Sequence, residues 1–117
     1  MHKITFLILG LATPALAEAP VIAAAQVARD ESAWRFDVTL SHPDTGWDHY
    51  ADGWRVEDAD GAILGTRTLL HPHVNEQPFT RSLGNVVVPP DLTEVFIRAK
   101  CSVDGWSTDT MSIALPD

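Results

Sequence analysis

Cysteine occurs once in this chain, at Cys101, so an internal disulfide is excluded and stability has to come from packing. Basic residues are also scarce. Eight Lys and Arg face sixteen Asp and Glu, a formal charge of −8, and that balance repels a phosphate backbone and argues against nucleic acid as a partner. The acidic residues are spread along the chain, a pattern that suits solubility rather than a cation-storage surface. Low-complexity tracts, internal repeats and glycine-rich phosphate loops are missing. Ser82, Ser102 and Ser107 sit in no nucleophile-elbow pattern, and Cys101 has no local catalytic signature, so the expectation is a non-enzyme.

Long apolar runs are lacking too. The stretch Ile4 to Leu11 is too short to span a bilayer, but it follows Lys3 and precedes Ala15-Leu16-Ala17, the order of a secretory signal peptide with a small-x-small cleavage site. Residues 1–17 are therefore expected to be removed, leaving one domain over residues 18–117, periplasmic or secreted, with no membrane span after cleavage. Glu18 and Ala19 follow the cut where a lipid-modified cysteine would otherwise stand, so a lipid anchor is not expected. Loss of Lys3 makes the remaining chain one charge more negative.

What is present reads as β-structure throughout. Trp34, Phe36, Val38 and Leu40 alternate with Arg35, Asp37 and Thr39, a half-buried strand over Ala33 to Ser41. Val95, Ile97, Ala99 and Cys101 share a face in the same way. Cys101 accordingly reads first as a small core residue, with a soft metal ligand or reactive thiol as the alternative. Further strands are expected over Val21 to Ala28 (where an alanine run would also suit a helix), Gly53 to Glu57, Ala62 to Leu69, Thr80 to Val88, Glu94 to Ser102 and Ser107 to Leu115. Asp60-Gly61 and Asp104-Gly105 signal hairpins, Asp30-Glu31 a turn, Gly84 a bulge and Pro89-Pro90 a stop.

Seven strands with no convincing helix predict an all-β, seven-stranded antiparallel sandwich. Trp54 on the third strand, the Asp60-Gly61 hairpin, Val88-Pro89-Pro90 and the run from Val95 to Ala99 resemble fibronectin type III and other immunoglobulin-like domains. That resemblance implies two packed sheets and covers the whole of residues 18–117. It carries no activity. The disulfide of antibody-type domains is not matched, since no cysteine on the second strand faces Cys101.

Counting strands up and down brings three loops to one pole: residues 42–52, 70–78 and the turn around Asp104. Those loops hold His42, His49, His71, His73 and Glu76, every histidine beyond His2. Pro72 keeps His71-Pro72-His73 extended, so both imidazoles can face one side while Glu76 reaches back around a turn. Two imidazoles and a carboxylate suit zinc or copper(II), with His49 or His42 supplying a further nitrogen. A plainer outcome is also open, in which the rings bond backbone carbonyls and Glu76 pairs with Arg81.

The same pole carries Trp47, Tyr50 and Trp106. These aromatics offer a rival reading, a metal-free surface for a protein partner or ligand. Trp106, just after Asp104-Gly105, is expected exposed at a hairpin tip, and Trp47 is expected as a lid over the core. Trp34 and Trp54 lie in strand patterns and are expected inside.

Overall fold

In the computed structural model, residues 18–117 are described; the signal peptide expected over residues 1–17 lies outside them. Eight strands follow in order: β1 (Val21–Asp30), β2 (Ala33–Ser41), β3 (Ala51–Glu57), β4 (Ile63–Thr68), β5 (Phe79–Val86), β6 (Glu94–Cys101), β7 (Gly105–Trp106) and β8 (Met111–Ala114). All pairing is antiparallel. One sheet has the order β1-β2-β5, and the other has β4-β3-β6-β7 with β8 also on β6. The last strand expected over Ser107 to Leu115 is shortened to β8, and β7 is an additional short strand just ahead of it, at the expected Asp104-Gly105 turn. Among the described residues, no helix is long and apolar enough to cross a membrane.

The period-two pattern sets the core. Trp34, Phe36, Val38 and Leu40 from β2 face Trp54 and Val56 from β3 and Val95, Ile97 and Ala99 from β6, all buried. Burying an apolar side chain of this size stabilises by about 1.5–3 kcal/mol, so the two faces together dominate the fold. Cys101 continues the β6 series and is buried as well. The sandwich-like arrangement needs no disulfide to close.

Turn chemistry follows the sequence closely. The Asp58 carboxylate accepts N–H groups from Asp60 and Ala62, and Gly61 takes φ 86°, a left-handed conformation that a β-carbon would strain. On β5, the register against β2 slips between Leu83 and Val86, so Gly84 does mark a bulge, with Asn85 at φ 59°. One buried ion cluster braces the second sheet. Glu57 accepts from Arg55 Nε at 2.6 Å and from Arg98 Nε and Nη2 at 2.7 and 3.0 Å, and Arg98 holds its carboxyl below the ordinary range.

The three loops do meet at one end. Ser102 N donates to Tyr50 O at 2.9 Å, the Ser102 hydroxyl accepts from Tyr50 N, and His42 N donates to Gln77 Oε1 at 2.9 Å. Gln77 in turn donates to His73 O. The pole is therefore a knitted surface rather than three independent loops.

Candidate functional site

Pro43 follows His42 at the end of β2, and the chain turns so that Asp44 points inward. Its buried carboxylate accepts from His42 Nδ1 at 2.6 Å and Ala51 N at 3.0 Å through Oδ1, and from His73 N at 2.8 Å through Oδ2. The other His42 nitrogen, Nε2, lies 2.8 Å from the Glu18 carbonyl oxygen. A carboxylate on one side and a carbonyl on the other thus place an acceptor at each ring nitrogen.

His49 sits edge-on to His42, ring centroids 4.7 Å apart. A small bridge between Gly46 and His49 fixes it there. Its Nε2 is buried and has no hydrogen-bond partner in the protein, which is unusual for a buried polar atom. Cys101 completes the group from β6, reached because alternation aims it at the interior. One ligand atom from each of His42, His49 and Cys101 lies within 4.8 Å of the others.

The second histidine pair is built differently. His73 is buried, its ring stacked on Phe79 at 3.9 Å with an interplanar angle of 13°. His71 is exposed, 4.7 Å from His73 between centroids, and its Nδ1 donates to Pro72 O at 3.1 Å. Arg81 Nη2 donates to His73 Nε2 at 2.9 Å and to Glu76 Oε1 at 3.1 Å. A permanent cation thus stands between the imidazole and the carboxylate. Burial, then the nearby Arg81 and His71, push the His73 pKa below its ordinary value.

This changes the expected ligand set. The chelate read from His71, His73 and Glu76 is not the arrangement found, because Arg81 engages both His73 and Glu76 and a second cation there would meet its charge. Of the expected ligands, His42 and His49 converge. Cys101, read mainly as a core residue, joins them, and Asp44, not singled out from the sequence, orients His42.

The aromatic expectations reverse as well. Trp47 occupies the tip of a turn with 69% of its surface exposed, edge-on to Tyr50 at 5.6 Å. Trp106 is half-buried. Its residue pairs with Lys100 across the β6–β7 ladder, which lays the ring on the sheet face, 4.0 Å from the Arg55 guanidinium and 5.5 Å from the Lys100 ammonium. Val103 and Asp104 take the tip instead. A groove of about 600 Å³ runs beside Trp47, lined also by His71, Val74 and Glu76.

Comparison with known proteins adds one relative. The chain is 40% identical over 98 residues to a protein of Halomicrobium mukohataei named "Putative lipoprotein", the match covering 84% of this chain and 48% of that protein. The chain spans about half the length of that relative. No family model matches, and no solved structure matches.

Proposed function

We propose that this chain is an exported, envelope-associated binding domain of fibronectin type III-like architecture, acting as a binder rather than a catalyst, whose loop pole takes up one transition-metal ion, zinc or copper. The strand order β1-β2-β5 against β4-β3-β6-β7 supports the architecture. The relative is named a lipoprotein, which supports export. One observation carries the metal reading: two imidazoles and a thiol converge within 4.8 Å, and the buried His49 Nε2 has no other partner.

Titration of the purified protein with zinc or copper is the test. One tight equivalent is expected, and His49→Ala should weaken it by more than the roughly 10- to 100-fold typical of changes outside the ligand shell. His71→Ala should leave it unchanged. Loss of affinity in His71→Ala with full retention in His49→Ala would return the site to the other loop.

A second reading, a metal-free surface for a protein partner, is favoured by the exposure of Trp47 beside Tyr50. Under that reading, chelator would leave partner capture untouched and Trp47→Ala would abolish it.

A further inference from the structure

Resting on the metal reading above, we propose that the pocket is a copper site, holding copper(I) in preference to zinc through a trigonal set of two imidazoles and one thiolate. The donors are His42, His49 and Cys101. The neighbouring carboxylate is not part of this converging set. Asp44 Oδ1 is filled by N–H groups from His42 and Ala51, and Oδ2 is turned to His73 N.

Coordination number then decides between metals. A closed zinc site is tetrahedral with four protein ligands, and an open one keeps a position for water. Neither suits a point enclosed by His42 and Cys101, each 1% exposed. Two imidazoles and one thiolate without a strong fourth ligand form the trigonal set that copper uses, and the softness of the thiolate favours copper(I).

The surroundings fit the same ion. Asp44 holds His42 Nδ1 in the carboxylate–histidine arrangement that fixes a ligating ring, which leaves Nε2 for the metal. Nε2 is covered by the Glu18 carbonyl at 2.8 Å, and Glu18 is an exposed residue ahead of β1. Entry of the ion therefore asks for the movement of one carbonyl and the release to solvent of the proton that Nε2 donates to it, together with the Cys101 thiol proton. His49 Nε2 is already desolvated and unbonded, so binding there breaks no existing hydrogen bond.

The experiment is an anaerobic competition on the purified protein, with copper(I) and zinc as the probes, followed by a separate copper(II) titration. We expect one equivalent of copper(I), retained against a large excess of zinc. Copper(II) should give intense visible absorption from thiolate-to-copper charge transfer, lost in Cys101→Ser. Because that band in the wild type itself identifies a sulfur ligand, the result does not depend on the variant folding. Zinc bound at one equivalent and not displaced by copper(I), or copper bound with no charge-transfer band, would overturn the copper assignment and leave the metal reading standing. Binding of neither metal would overturn both.

Discussion

Arg81 holds His73 as a neutral ring: its guanidinium donates to Nε2 at 2.9 Å, so a proton on that nitrogen would break the bond and add a second positive charge beside the first. Burial acts in the same direction. In the unfolded chain His73 takes up a proton near its ordinary 6.5, whereas the folded chain resists, so the stability this residue contributes is full above that pH and is lost as pH falls toward the lowered folded value. Glu57 adds a later loss. Its folded pKa lies below the ordinary 4.5, so its contribution is present above that value and disappears as pH drops through the folded one. Urea midpoints measured from pH 7 down to about pH 5 should fall in the wild type and fall less steeply in His73→Gln. Equal slopes would show that His73 is not the group responsible.

The tryptophans should separate by depth. Trp54 is fully buried, Trp106 is half-buried against two cations, and Trp47 is exposed. Trp54→Ala should cost about 3–5 kcal/mol, as large-to-small core changes do. Trp106→Ala should cost about 1–2 kcal/mol through lost cation–π contact and part of its area. Trp47→Ala should fall within about 0.5 kcal/mol of the wild type. Denaturant unfolding checks the order, and a large loss in Trp47→Ala would mean that it covers core after all.

Asp44→Ala should be among the most damaging polar changes in the chain. It strands His42 Nδ1, Ala51 N and His73 N without acceptors, and each buried unsatisfied group costs about 1–3 kcal/mol. A loss of more than about 3 kcal/mol is expected. Asp48→Ala, on an exposed neighbour, should change stability by less than about 0.5 kcal/mol. Calorimetry of the two variants would reveal an overestimate if their melting temperatures coincide.

Much of the fold is readable in the residues because alternation and burial are the same fact seen twice. The Trp34 to Leu40 and Val95 to Cys101 faces became the two halves of the core, and the gathering of three loops at one pole follows from strand count alone. The site was only half legible. His42 and His49 were candidates, but which imidazoles converge depends on side-chain direction across two sheets, and sequence spacing does not carry that. Spacing favours His71-Pro72-His73, whose rings do lie 4.7 Å apart, but Arg81 bonds both His73 and Glu76. Arg81 was visible as a possible partner of Glu76, and its simultaneous bond to His73 needed the bend between Glu76 and β5. Asp44 had a signal that could have been used, since His42-Pro43-Asp44 repeats the frame of His71-Pro72-His73 with a carboxylate in place of the second ring.

Exported domains often fasten distant loops with disulfides, and one cysteine allows none inside this chain. Asp44 performs that fastening by another chemistry. Its carboxylate ties Ala51, 7 positions on, and His73, 29 positions on, to the ring of His42, closing loops whose entropic cost grows only with the logarithm of their length. The clamp contains no sulfur bond, so a reductant that opens disulfide-stapled neighbours leaves this one shut, and Cys101 keeps its thiol free for another use.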